Sequence, residues 1–501
     1  MSNVGITTES TNALSLRLTL LLAVAGQLLA ILASLGWIHA WTIGLALVAA
    51  IAVTRPRPRV SWLLLLFVPL LGFASYPPHA FDETLYHLPY IDSIARHGAI
   101  VLRPDIRFEV FPQLQELLAL PAYLAFGATA THFVSVLQLM ILGALLLVWP
   151  KRREAGWLAA AIVLGNPPLL YVGGVTYVDA ALTLFVAAGF FCLQQEGDDY
   201  ALLGGFLLGT AVSVKYLGGF FVVAALLYAG RRVWRYACGV ALGALPMTLR
   251  LFVLTGNPLH PYFSSSDWAG LGARQESLLT RAEHLVRLLY DITFARQHVN
   301  VQPPYTPFFV LALIVAVFFA KRWRLGLICA VYFVLFVTVL PADSRYLLPL
   351  VPLVAVPAAS YLAERFDVRV LSAVAALPLV LYPLFSIYRF GPPPLSNEAR
   401  HAFQVARVPG LEALEHAPRG RVFVCGGEEL KYFGGDRLVG DHRGAYAFQD
   451  VFRRGLDALD VEWIVVDRRT CNASWRAQIA AHGERIYEDD EAELWKKKRV
   501  R

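Results

Sequence analysis

Apolar runs long enough to enter a bilayer recur from residue 14 to residue 389, and no other feature limits the fold so tightly. VSWLLLLFVPLLGFASY, at 60–76, is one of them. At about 20 residues per crossing they divide into roughly thirteen candidate spans. These lie near 14–35, 38–53, 60–76, 130–149, 156–172, 177–195, 200–215, 217–230, 236–254, 305–320, 325–340, 346–362 and 370–389, with 200–230 also readable as one broken or re-entrant segment. A backbone in hydrocarbon must satisfy its own hydrogen bonds, so such runs fold as helices. Composition agrees: 16% of the residues are charged, against about a quarter in soluble domains. The expectation is an all-α polytopic membrane domain over 1–390. No AxA-like site follows the first run, so a cleaved leader is not expected.

The net charge of +7 is spread through short basic clusters between apolar runs: RPRPR (55–59), KRR (151–153), RRVWR (231–235) and KRWR (321–324). Clusters of this kind mark cytoplasmic loops. The acidic loop EGDD (196–199) carries little weight in that rule. The N-terminus is then cytoplasmic. Two long loops, 77–128 and 255–304, fall outside with the tail, 391–501. No basic stripe with interleaved aromatics is present, which argues against nucleic acid as a partner.

GPPPLSNEAR (391–400) reads as a linker into that tail. The tail alternates strand-like RVFVCGG (421–427) and VEWIVVD (461–467) with helix-like DVFRRGLDAL (450–459) and ASWRAQIAAHG (473–483), the pattern of a small α/β domain. Cys192, Cys238 and Cys329 lie in apolar runs and read as small buried hydrophobes. Cys425 and Cys471 share the tail, on a side of the membrane that permits oxidation. They are either a disulfide or two free thiols.

FDETLYHLPYIDSIARHG (81–98) sits oddly after the 60–76 run. It places Asp82 and Glu83 side by side at the membrane edge, where desolvating carboxylates is costly. Leu85, Leu88, Ile91 and Ile94 then recur at a spacing of three, one face of a helix, and Gly98 is a natural stop. FPQLQELLALPAYL (111–124) repeats the idea, with Pro112 suited to a first turn and Leu114, Leu117 and Leu118 on one side. Both stretches are too short to span and are expected to lie in the interface plane.

This pattern resembles the GT-C superfamily of polytopic glycosyltransferases, which includes the protein O-mannosyltransferases and the lipid A aminoarabinose transferases. FDETLYHLP looks like the acidic motif of the family's first external loop. NPPLLYVGGVTYVDA (166–180), LLGTAVSVKYLGG (207–219), TGNPLHPYF (255–263) and SRYLLPLVPL (344–353) follow in the matching order, so that the resemblance covers about 60–390. The chain departs from the pattern in carrying two apolar segments ahead of the span that leads into this loop, so that 14–53 reads as an added N-terminal hairpin.

The resemblance implies a transferase that moves a sugar from a polyprenyl-phosphate donor to an acceptor hydroxyl of a glycan, lipid or protein. The reaction would run on the outer face of a bacterial inner membrane, by inverting displacement. That chemistry needs a base for the acceptor proton and cations for the leaving phosphate. Asp82 is the candidate base, with a helix N-cap as its structural alternative. Glu83 ranks second, as a group that orients Asp82 or touches the sugar. Tyr86 and His87 are candidates for the sugar site, or else interface anchors. Glu109 matches a second acidic position of the aminoarabinose transferases. With Asp82 it is a candidate site for a divalent cation, Mg or Mn, its alternative being a pairing with Arg103 or Arg107. Lys215 is an ionisable residue within an apolar stretch, functional by default unless it snorkels from a span end. Asp179, near another span end, is either functional or a structural acceptor. His260 and Tyr262 open the second external loop and are placed to face the first. Arg345, in ADSRYLLPL, is the candidate phosphate ligand, its alternative being a pairing with Asp343 or lipid headgroups. The competing function is a transporter or flippase of lipid-linked sugars. Against it stand the long acidic external loop and the lack of a visible inverted repeat.

Overall fold

The computed structural model describes residues 8–56, 62–106, 108–260, 262, 277–294, 303–340, 343–440, 455–456 and 459–498. Arg107, most of the second external loop and most of the helix expected over 450–459 lie outside them.

Helices α1 (Thr8–Leu35), α2 (Ala40–Thr54) and α3 (Val68–Ala74) lead into the first loop. That loop carries a π-helical turn, Glu83–His87, continuous with α4 (Leu88–His97), and then α5 (Leu114–Phe126). The main helical body follows: α6 (Ala130–Val148), α7 (Arg153–Leu164), α8 (Pro167–Gly173), α9 (Asp179–Leu193), α10 (Asp198–Val214), α11 (Gly218–Ala229) and α12 (Val233–Thr255). After α13 (Leu278–Phe294), the helices α14 (Pro307–Ile314), α15 (Trp323–Thr338), α16 (Leu350–Ala363) and α17 (Arg369–Phe390) complete it.

Among the described residues, four helical stretches are long and apolar enough to cross a membrane: Leu14–Leu35, Ala130–Val148, Gly218–Thr255 and Arg369–Phe390. A fifth arises if α7 and α8, bent by 70°, count as one broken span. The break falls at Asn166-Pro167-Pro168, where proline suits a first turn but cannot continue the helix before it. The other apolar helices have 10–17 residues. Of the roughly thirteen candidate spans, four or five are thus matched by helices of spanning length among the described residues. Glycine and proline divide the apolar runs into shorter pieces, which a membrane fold tolerates where neighbouring helices cover them. The 200–230 region resolves into two helices, α10 and α11.

Glycines allow α10 and α12 to touch along their backbones. A Cβ on Gly205 would lie 2.1 Å from the Tyr236 carbonyl oxygen, and one on Gly239 would lie 2.0 Å from that of Leu202. Gly209 and Gly243 repeat the contact one turn on. Small residues four apart, facing small residues, are the standard device for close helix pairs in membranes. The pairing fixes the end of α10, where Lys215 sits. The N-terminal segment joins the same body: Gln27 Nε2 donates to the Gly243 carbonyl at 2.7 Å.

The first-loop helices form as expected, but their apolar faces are covered by protein. Leu85, Leu88, Ile91 and Ile94 are buried, and so is all of Leu114–Leu120. Those faces pack on the helical body rather than on lipid, because α1 and α6 already flank α5. Helix α5 begins at Leu114, two residues after Pro112. Gly98 caps α4 at φ +65°, a left-handed value that glycine adopts without strain.

Beyond α17 come α18 (Asn397–Val405), α19 (Leu411–His416), α20 (Lys431–Gly434) and α21 (Ala473–His482). They surround a five-stranded sheet of β1 (Val422–Cys425), β2 (Leu438–Gly440), β3 (Trp463–Asp467), β4 (Gly483–Glu488) and β5 (Ala492–Lys497). The order is β2-β1-β3-β5-β4. β1 pairs in parallel with β2 and β3, while β3–β5 and β5–β4 are antiparallel. β1 and β3 are buried along their whole length, as the apolar runs VFVC and WIVVD require. Cys425 and Cys471 form a disulfide, tying the end of β1 to the segment after β3. The β4–β5 hairpin was not anticipated. Its turn is set by Asp489, whose carboxylate accepts the N–H groups of Glu491 and Ala492 at 2.7 Å.

Candidate functional site

Asp82 is buried at the start of the π-helical turn, and its side chain caps no helix. It pairs instead with the Arg345 guanidinium, 263 residues away. Arg345 also reaches Asp343, with Nε 2.9 Å from Oδ2, and its plane lies over the Tyr177 ring at 4.9 Å. The Tyr177 hydroxyl accepts the Asp82 N–H at 3.2 Å. Burial pushes the Asp82 carboxyl up, but the charges of Arg345 and His87 outweigh it and hold the carboxyl below its ordinary value. So Arg345 faces the candidate base as well as Asp343.

A second ion pair stands beside the first. Lys215 Nζ lies 3.0 Å from Asp179 Oδ1 and 4.2 Å over the centre of the Tyr346 ring. Asp179 opens α9 and Lys215 follows α10, so the helix pair sets their separation. The backbone around Arg345 is pinned by two tyrosines: Tyr305 donates to the Ser344 carbonyl at 2.9 Å and Tyr332 to that of Tyr346 at 2.5 Å.

Glu83 points away from this cluster and into the core. Its Oε2 accepts the N–H groups of His79 and Ala80 at 3.2 Å, and its Oε1 accepts that of Thr176 at 3.1 Å. The fourth donor is His132 Nε2 at 2.5 Å. His132 Nδ1 faces the Ala74 carbonyl at 2.9 Å. With both ring nitrogens against acceptors, the ring carries both protons and a positive charge. Burial pushes the Glu83 carboxyl up, but His132 overcomes it and brings it down to about 2. Glu83 thus joins the loop to α6 and to the turn before α9.

Tyr86, His87, Tyr90, Phe111, Pro112, Glu116, Val178, Val214 and Lys215 line a narrow cleft beside Asp82. His87 Nδ1 is 2.6 Å from Glu116 Oε1, and both residues are buried. Tyr86 stacks edge-on against Phe108 at 5.2 Å, and Phe111 against Tyr216 at 5.2 Å. Tyr216 in turn meets Tyr262 at 5.6 Å and donates to the His260 carbonyl at 2.6 Å. Tyr216, between α10 and α11, thus touches both Phe111 of the first loop and Tyr262 at the start of the second. Burial holds the His260 imidazole below its ordinary value.

Glu109 is half-buried, and its carbonyl accepts the Arg103 N–H at 2.8 Å. The Arg103 guanidinium goes elsewhere, to Asp105 at 2.6 and 2.7 Å and to Asp436 of the C-terminal domain at 2.6 Å. Lys431, buried at 1% exposure, meets Asp105 from the same domain at 2.7 Å. The C-terminal domain is thereby tied to the loop that carries Asp82. Among the described residues no three His, Cys, Asp or Glu side chains are gathered to hold a metal ion. Of the two residues named for a divalent cation, Asp82 bears on the Arg345 guanidinium and Glu109 stands to one side.

Of the residues singled out in the sequence, Asp82, Tyr86, His87, Lys215 and Arg345 come together here. Glu83 lies beneath them, and Glu109, His260 and Tyr262 stand to one side. Glu116, Tyr90, Tyr177 and His132 were missed. Glu116 and His132 did carry a signal, as lone ionisable residues in apolar helices.

Three comparisons bear on this arrangement. The dolichyl-phosphate-mannose-protein mannosyltransferase family profile matches residues 123–264. An uncharacterised protein of Shigella flexneri is 31% identical over 147 residues, which are 28% of this chain and 71% of that protein. The crystal structure of ArnT from Cupriavidus metallidurans in the apo state matches with a TM-score of 0.58 at 14% identity, over 87% of this chain and 97% of that one. The structure of the same protein bound to undecaprenyl phosphate matches at 0.53 and 13%, over 87% and 98%. The two solved structures show that the fold is shared.

Proposed function

We propose that the chain is an integral-membrane glycosyltransferase of the GT-C superfamily, a reading supported by the mannosyltransferase profile over 123–264 and by the shared fold, and that it moves a sugar from a polyprenyl-phosphate donor to an acceptor hydroxyl on the extracytoplasmic face. The observation that carries this reading is the group of Asp82 and Asp179, both buried, with the partly buried Arg345 and Lys215 paired to them. It is drawn from four distant segments and set beside an aromatic cleft. Buried charges so far apart in sequence are costly to assemble without a use. The fold's match to a protein crystallised with undecaprenyl phosphate supports a lipid phosphate as the ligand class.

In this mechanism the acceptor oxygen attacks the anomeric carbon from the face opposite the phosphate. Its proton passes to Asp82 as the new bond forms. The bond from the anomeric carbon to the phosphate oxygen breaks, and its electrons leave on the phosphate. Arg345 and Lys215 stabilise that charge, Arg345 with a planar fork suited to phosphate. Donor phosphate competes with Asp82 for Arg345. Its arrival loosens the ion pair and returns basicity to the carboxylate. Tyr86 and His87 line the sugar site. Glu83 shapes the loop and takes no proton. No step runs through a metal ion.

The test is transfer or hydrolysis of radiolabelled polyprenyl-phosphate sugars by purified protein in lipid, compared with Asp82→Asn. The substitution keeps the shape and removes the proton acceptor. It is expected to abolish turnover while donor binding persists. Wild-type rates in Asp82→Asn would remove Asp82 from the mechanism.

A further inference from the structure

Helices α1 and α10 run side by side in the same direction, with Gln27 Nε2 3.4 Å from Thr210 Oγ1. One end of the pair belongs to the candidate site. Just past α1, the Ile38 N–H donates to the Gly98 carbonyl of the first loop at 3.0 Å, and Lys215 follows α10. Arg17 and Asp199 lie at the other end, about 25 Å away along the helices at about 1.5 Å per residue. There the two helices frame a groove of about 380 Å³, lined by Leu16, Arg17, Leu20, Asp199, Tyr200 and Leu203. The three leucines are half-buried, while Arg17, Asp199 and Tyr200 are exposed. One Arg17 N–H donates to the Arg55 carbonyl at 2.9 Å, which anchors the guanidinium. Among the described residues neither Arg17 nor Asp199 forms an ion pair, with the other or with any third side chain. The groove thus holds two opposite charges apart over an apolar lining.

We propose that this groove binds a phospholipid of the leaflet opposite the candidate site, one whose headgroup carries both a phosphate and a primary ammonium, the phosphatidylethanolamine class. The phosphate accepts from the Arg17 guanidinium, whose planar fork suits it. The ammonium donates to the Asp199 carboxylate. The glycerol and the first methylenes of the chains lie on Leu16, Leu20 and Leu203, and Tyr200 sits at headgroup level, where tyrosine is favoured. The volume falls within the ordinary range of about 300–1,000 Å³ for ligand sites. A lipid is the occupant because the groove opens on Leu14–Leu35, a helix long and apolar enough to cross the membrane. Charge complementarity selects among lipids. A purely anionic headgroup would bring negative charge against Asp199, and a choline headgroup has no N–H to give it. The site is remote from the proposed transfer chemistry, and binding alone tests it.

Purified full-length protein in mild detergent is titrated with phosphatidylethanolamine, phosphatidylcholine and phosphatidylglycerol of matched chains, and bound lipid is read by native mass spectrometry. Wild type is expected to retain phosphatidylethanolamine about 3- to 5-fold more tightly than either of the others, the scale of an exposed ion pair. Asp199→Asn should erase the preference over phosphatidylcholine. Asp199 is exposed and has no ion pair to lose, and Asp198 still supplies an acid to the first turn of α10, so this variant does not threaten the fold. Arg17→Gln should weaken binding of all three lipids. Equal affinity of wild type for the three would overturn the proposal, as would an Asp199→Asn protein that keeps the wild-type preference. Tighter binding of phosphatidylglycerol would also overturn it, in favour of an anionic-lipid site on Arg17 alone. Should Arg17→Gln misfold through loss of its bond to Arg55, the wild-type ranking and Asp199→Asn decide.

Discussion

Glu83→Gln separates a scaffold carboxylate from a catalytic one. Glu83 is fully buried and accepts three backbone N–H groups and the charged ring of His132. Glutamine offers one carbonyl oxygen and one NH2 group. Whichever way it turns, the NH2 meets donors, and His132 loses its counter-charge. The carboxyl stands at about 2 in place of an ordinary 4.5. At about 1.4 kcal/mol per pH unit that difference corresponds to roughly 3 kcal/mol. Breaking a buried pair by removing one partner costs about 3–5 kcal/mol, which agrees. The sign follows from the depressed value. The contribution is complete above about 4.5 and is lost as pH falls through about 2. We expect the purified variant in mild detergent to lose its monodisperse size-exclusion peak at a clearly lower temperature than wild type at neutral pH. Wild type should lose stability on acidification through that window, and the variant should show less of that dependence. Asp82→Asn should cost less than Glu83→Gln, because the Arg345 guanidinium keeps Asp343 as a counter-charge, whereas His132 keeps none. A Glu83→Gln protein as stable as wild type, with the same acid dependence, would refute the scaffold role.

Arg345→Ala should weaken donor phosphate binding about 10- to 100-fold, with Arg345→Lys recovering only part of it. Equilibrium binding of undecaprenyl phosphate reads this directly, and unchanged affinity would leave Arg345 as a partner of Asp82 alone. Lys431→Ala strips Asp105 of a buried partner and should destabilise the loop, with a lower kcat and little change in KM. Lys431→Arg, which keeps the charge beside Asp105, should retain more of the activity than Lys431→Ala, and equal losses would argue against the contact. Cys425 and Cys471 should resist alkylation in unreduced, denatured protein and react after reduction. Labelling of both before reduction would contradict the bridge.

How much of this was legible beforehand depended on the range of the interaction. Helix α4 could be read from Leu85, Leu88, Ile91, Ile94 and Gly98, because amphipathic periodicity and a glycine cap are local. Strands β1 and β3 showed as unbroken apolar runs for the same reason. The helical membrane class followed from the apolar runs, since hydrocarbon leaves the backbone no other partner than itself. The number of full spans did not follow. Whether a short run crosses or bends depends on which neighbour covers its free carbonyls.

The acidic pair shows the limit most plainly. Asp82 and Glu83 are adjacent in sequence and chemically alike, and sequence could rank them only by resemblance to a family. The π-helical turn sends one carboxylate to Arg345 and the other to His132, two partners on distant segments. Which of two neighbouring acids meets which cation is a matter of direction in space, and direction is set only once α6, α9 and the segment around Arg345 have packed. Lys215 was recognisable as an intramembrane charge, but its pairing with Asp179 came from the glycine contacts of α10 and α12. Glu116 read as one polar residue in an apolar helix until His87 was brought within 2.6 Å of it. Burial of a charge is visible in sequence as an anomaly, and its partner is visible only in the fold, because the Coulomb energy that compensates it depends on distances that chain order does not encode.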